Sequence, residues 1–170
     1  MTRVSRRGFV TAAATVPLLG ACGLDRPSAA RIALYDPGLA AGRLFAQRAR
    51  ALGLPAIALD QDRVRLLRRV LAERPASLWG LSRHADQLLA ADILREHGYR
   101  AELAVQHRAD RSVVQSRHQP MGTAGALARI AGDQWPLVFA EIAAGLGPAY
   151  RPGRSATATG PIMSWAFVRG

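Results

Sequence analysis

Residues 31–60 read RIALYDPGLAAGRLFAQRARALGLPAIALD, and this stretch decides the fold. Arg31 to Asp36 is a strand-like apolar run, stopped by Pro37-Gly38. Leu39 to Leu52 then places Ala41, Leu44, Phe45, Ala49 and Leu52 along one side of a helix. Gly53 closes that helix and Pro55 blocks its continuation. Ala56 to Asp60 is a second apolar run. Strand, helix and strand in short succession are the layout of a βαβ unit.

The rhythm continues outward. Asp62 to Glu73 reads as a helix with Val64, Leu67, Val70 and Leu71 as its stripe, ended by Pro75. Ser77 to Leu81 is a third strand. Ser82 reads as the N-cap of a helix from Arg83 to His97, closed by Gly98. Tyr99 to His107 alternates as a fourth strand. The first three strands are apolar almost throughout, as strands covered on both faces are. The expectation is an α/β fold, mainly parallel: a Rossmann-like or flavodoxin-like three-layer sandwich with an irregular second half. There, Ser112 to Gln115 returns as a hairpin strand after the turn at Ala109-Asp110-Arg111. Thr123 to Ala131 reads as a short helix. Gly132-Asp133-Gln134-Trp135-Pro136 opens a further helix, with Pro136 near its first position and Val138, Phe139, Ile142 and Leu146 as its apolar face. Gly147 to Gly160 is a long loop, able to serve as a lid, and Ile162 to Val168 a final strand. Trp79, Trp135 and Trp165 are expected in or near the core.

A chain of 170 residues is one ordinary domain. A hydrophobic fraction of 49% and a mean hydropathy of +0.03 argue against both disorder and a polytopic membrane protein. The formal net charge is +11, and all 23 basic residues are arginine. Arg3, Arg6 and Arg7 lie in the first 21 residues with no acid beside them, which leaves +8 for the remainder. Those remaining arginines are dispersed, with no run longer than Arg68-Arg69. Dispersed charge makes a solvated basic surface rather than a groove for nucleic acid, and no nucleic-acid partner is expected.

The amino terminus carries the most specific motifs. Ser5-Arg6-Arg7-Gly8-Phe9-Val10 places two arginines before an apolar stretch that ends near Ala21. That stretch suits a secretory signal and is too short to span a bilayer. With Arg6, Arg7 and Phe9 in register, it resembles a twin-arginine (Tat) leader, which implies export of an already folded chain. Leu19-Gly20-Ala21-Cys22 resembles a bacterial lipobox. That resemblance implies transfer of a diacylglycerol to the Cys22 thiol, cleavage before Cys22 and acylation of the new amine. It also implies the Tat machinery and lipoprotein signal peptidase as partners during biogenesis. Cys22 is the only cysteine, so no disulfide forms within the chain. Gly23 after the cysteine implies, by resemblance to enterobacterial lipoproteins, the outer rather than the inner membrane, on the periplasmic side. The expected organisation is a cleaved signal peptide over 1–21, a lipid tether over 22–30 and a single α/β domain over 31–170.

Ligands of α/β sheets gather where strands end and helices begin. The corners here are Asp36-Pro37-Gly38, Asp60-Gln61-Asp62, Ser82-Arg83-His84 and His107-Arg108. Asp36, Asp60, Ser82, Arg83, His84 and His107 are therefore the candidate ligand-binding residues. Ser82, Arg83 and His84 would suit an anion at a helix start, although an N-capping Ser82 and a first-turn Asp86 also have ordinary structural roles. Ser82, His84 and Asp86 are too close in sequence to converge as a catalytic triad. The histidines lack metal-ligand spacing, and no dinucleotide or Walker loop is present. No cofactor is indicated and no protein partner is named by any motif. The preferred reading is a lipid-anchored envelope module that binds a ligand or supports a partner. The rival is an envelope enzyme using Asp36, Ser82, His84 and His107. The two differ in whether those side chains share one pocket.

Overall fold

The computed structural model describes residues 30–60, 62–108, 112–114, 134–146 and 161–170, with backbone alone at 112–114. The strands are β1 (Arg31–Tyr35), β2 (Ala56–Ala58), β3 (Ser77–Arg83), β4 (Tyr99–His107), β5 (Ser112–Val114) and β6 (Ile162–Arg169). The helices are α1 (Ala40–Ala51), α2 (Arg63–Ala72), α3 (His84–Glu96) and α4 (Trp135–Ala143). None of these helices is long and apolar enough to cross a membrane. The expected helix over Thr123–Ala131 and the loop over Gly147–Gly160 lie outside the described residues.

The strands form one sheet in the order β2-β1-β3-β6-β4-β5. β1 pairs in parallel with β2 and β3. The other three pairings, β3 with β6, β6 with β4 and β4 with β5, are antiparallel. The fold is α/β, but its sheet is mixed, which corrects the expectation of a mainly parallel one. β6 lies antiparallel between β3 and β4, where a doubly wound parallel fold would place those two strands side by side. The physical reason is in its residues. Ile162 to Phe167 is buried throughout and apolar but for Ser164, and burial on both faces yields the same near-continuous apolar run whichever way a strand points.

Helices cover both faces. On one, α1 and α4 pack against Ala33, Trp79, Leu81, Val105 and Ala166. Phe45 of α1 stacks on Phe139 of α4 with ring centroids 5.0 Å apart. On the other, α2 and α3 pack against Ile32, Leu34, Leu78, Met163 and Phe167. Trp79, Trp135 and Trp165 are all buried, as the sequence predicts.

Two stripes differ from expectation. α1 buries Gly42, Phe45, Ala46 and Ala49, whereas Leu44 is exposed. In α4, Val138, Phe139 and Ile142 are buried, but Leu146 falls beyond the helix and is exposed. α4 also buries Glu141, whose carboxylate takes Arg48 of α1 at 2.7 Å. A buried carboxylate requires such a partner, and the pair fixes α4 along α1.

Ser82 is not the N-cap of α3. It is the penultimate residue of β3, fully buried, and the cap position belongs to Arg83 without a side-chain bond. Ser82 Oγ accepts a hydrogen bond from the Trp165 indole N–H at 3.0 Å and donates to the Arg83 carbonyl at 3.1 Å. The strand runs two residues past the expected end because β6 pairs with it as far as Arg83. A long-range partner thus overrides a local capping signal.

Candidate functional site

β1 and β3 are parallel neighbours. The helices that follow them leave toward opposite faces of the sheet, α1 to one and α3 to the other. The crevice between their carboxyl ends is a topological switch point, where ligands of open α/β sheets bind.

Asp36 and Arg83 meet at this point. Arg83 donates through Nε to Asp36 Oδ2 at 3.1 Å, and the Gly38 N–H donates to Asp36 Oδ1 at 2.8 Å. Asp36 is buried, whereas the Arg83 side chain is 65% exposed. So exposed a pair adds only about 0–1 kcal/mol to stability. Its consequence is geometric: one edge of the guanidinium is fixed and the rest faces outward. Among the described residues Arg83 makes no other side-chain hydrogen bond. A guanidinium held in this way offers a planar set of donors to a carboxylate or phosphate.

Two glycines make the corner possible. A Cβ on Gly38 would stand 3.0 Å from Asp36 Oδ1 and 3.6 Å from an outer nitrogen of Arg83. A Cβ on Gly42 would overlap the Asp36 carbonyl oxygen. The β1–α1 connection therefore closes on Asp36 only because α1 carries glycine in its first turn. The sequence signal was an isolated glycine inside a helical pattern, which marks a close approach.

Ser82 and His107 do not join this crevice. Ser82 points to the α2–α3 face, where it holds Trp165. His107 is buried on the α1–α4 face, parallel to the Trp135 ring with centroids 3.7 Å apart. Its Nε2 lies 2.9 Å from Ser164 Oγ. Burial lowers the His107 pKa from 6.5 to about 3, so the ring is neutral at physiological pH. Ser82 and His107 are thus separated by the sheet itself. His84 is half-buried as the first residue of α3, and its Nδ1 has no hydrogen-bond partner among the described residues. Asp60 is exposed beyond the edge strand β2. Asp86 takes Arg63 of α2 at 2.6 Å, tying the starts of α2 and α3 together. Arg6, Arg7, Phe9 and Cys22 lie outside the described residues.

Sequence reasoning missed the partners of His107. Trp135 and Ser164 are distant in the chain, and neither stands in a motif. No protein-family model, curated protein or solved structure matches the chain.

Proposed function

We propose that the chain is a lipid-anchored module of the cell envelope that binds a small anionic ligand, a carboxylate or phosphate, at Arg83. The observation that carries the binding half is the exposed guanidinium held by buried Asp36 at the switch point. Supporting it over the enzymatic reading, Ser82 and His107 are interior residues on opposite faces, so the suspected catalytic set shares no pocket. The parallel β2-β1-β3 half supplies the crevice of a Rossmann-like or flavodoxin-like fold, and the antiparallel β6 is the departure from it.

Calorimetric titration with inorganic phosphate tests the binding half. A hydrogen-bonded charge contributes about 1.5–3 kcal/mol, so Arg83→Ala is expected to weaken phosphate at least tenfold. Equal affinity in the variant and the wild type would remove Arg83 from the site.

The anchoring half rests on the lipobox and on Cys22 being the sole cysteine. Cells fed radiolabelled palmitate are expected to label the wild type and leave Cys22→Ser unlabelled and uncut. Labelling of both to the same extent would place the acyl group elsewhere. Joint replacement of Arg6 and Arg7 by lysine is expected to stop export, because a guanidinium pair is not reproduced by two ammonium groups. Undiminished export of that variant would indicate the Sec route.

A further inference from the structure

The amino ends of the central strands form the edge opposite Arg83. A continuous set of backbone bonds defines it: Ala76 N–H to the Ala30 carbonyl, Arg169 N–H to the Ala76 carbonyl, and Gly170 N–H to the Gly98 carbonyl. Ala30, where the tether enters the domain, lies on this edge. It lies only eight positions along the chain from Cys22. A fully extended chain of that length spans at most about 29 Å. A lipid on Cys22 therefore keeps Ala30 within about 29 Å of the anchored residue.

The edge is basic. Arg31, Arg69, Arg74, Arg95, Arg100 and Arg169 are exposed along it. Glu73 and Glu96 are the exposed acids at the same ends of α2 and α3, and Asp92 is taken by Arg95 at 2.9 Å. Arg69 and Arg95 stand in last helical turns, where the helix dipole favours a cation. Arg31 donates to the Ala143 carbonyl at the end of α4. No helix end accounts for Arg100 or Arg169, which sit on strand ends. Arg74 stands beside Arg169, which donates to its carbonyl at 3.4 Å, and it adopts φ 49°, a conformation that favours glycine. The opposite edge is closer to balance: Asp36, Asp60, Asp62 and Asp86 accompany Arg43, Arg63, Arg65, Arg83 and Arg108. A cleft of about 420 Å³ opens on the basic edge, lined by Ala30, Arg31, Leu52, Leu54, Pro55 and Ala144. It sets apolar side chains beside a guanidinium at the point where the tether enters.

We infer that this edge lies on an anionic phospholipid surface, which turns the carboxyl edge and Arg83 outward to the aqueous phase. The inference rests on the lipid-anchor reading for its geometry and on the charge distribution for its chemistry. Basic residues next to an anionic bilayer each add to the attraction, and salt weakens it.

The test uses the full chain purified from cell membranes, carrying Ala72→Cys at the end of α2 or Ala85→Cys at the start of α3. Both alanines are exposed, and an acylated Cys22 leaves the new cysteine as the only thiol. Each is labelled with a fluorophore and placed in phosphatidylglycerol-containing vesicles with headgroup quenchers. Quenching at position 72 is expected to exceed that at 85 at least threefold. High salt, or Arg69→Glu with Arg74→Glu and Arg100→Glu, is expected to abolish the difference. Equal quenching at both positions, stronger quenching at 85, or no effect of the triple reversal would overturn the inference. Intact mass of the same samples reports acylation separately. If Cys22 is unmodified, the anchor reading fails, and the same two labels on Cys22→Ser chain added to vesicles still decide the basic edge.

Discussion

Gly80→Ala is expected to lower the stability of the domain by about 3 kcal/mol or more, at the upper end of overpacking effects. A Cβ at position 80 would overlap Cε2 and Cζ2 of Trp165, whose ring lies directly on the Gly80 backbone. Gly80 and Trp165 face each other in the β3–β6 pairing. The ring has nowhere to retreat: it is fully buried, and its N–H is bonded to Ser82 Oγ. Moving it would break that bond and leave a buried donor without an acceptor. In a domain of this size each kcal/mol shifts the melting temperature by about 2–4 °C, so a thermal melt should show a fall of roughly 10 °C. A shift below 2 °C would mean that Trp165 does not pack on Gly80. Leu81→Val, one residue on, should cost far less, since it removes a single methylene.

The second large effect is a dependence on acid. His107 titrates near its ordinary 6.5 in the unfolded chain and at about 3 in the fold, because burial disfavours the charged ring. Between those values the unfolded chain binds a proton that the native protein does not. Stability therefore rises with pH through this window. The contribution is fully present above 6.5 and is lost as the pH falls toward 3, at about 1.4 kcal/mol per unit. His107→Phe keeps a ring against Trp135 and removes the titration. At pH 7 the variant is expected to be about 1 kcal/mol less stable, because Ser164 loses its partner. Toward pH 4 the order should reverse, with the variant the more stable. Denaturant unfolding across pH 4–7 reads this as two curves that cross. Parallel curves would mean that His107 is not buried in neutral form.

These two residues also mark what the sequence could and could not reveal. Local pattern is enough to place β1, α1, β2, α2, β3, α3 and β4, because the helices bury one face at their own period and the first three strands are short apolar runs bounded by turn residues. The hairpin to β5 and the Pro136 start of α4 are readable for the same local reason. The direction and position of β6 are not, since its apolar run fits any slot covered on both sides. That single insertion explains two further misreadings. It lengthens β3 past Ser82 and converts an expected cap into the acceptor for Trp165. It also brings Ser164 to His107, 57 residues away in sequence. The corner at Asp36 was legible from Asp36-Pro37-Gly38. Its pairing with Arg83 was not, because that contact depends on β1 and β3 being neighbours. Asp60 and His84 looked alike in sequence, but neither is held by a buried partner as Arg83 is.

The central claim is an acylated chain with an anion held at Arg83, and native mass spectrometry of protein purified from the envelope tests both parts together. The expected species is a chain beginning at Cys22, heavier by its acyl groups, that carries a dissociable anionic small molecule absent from Arg83→Ala. A wild-type chain that retains Met1, carries no ligand, or holds the same ligand as Arg83→Ala would contradict it.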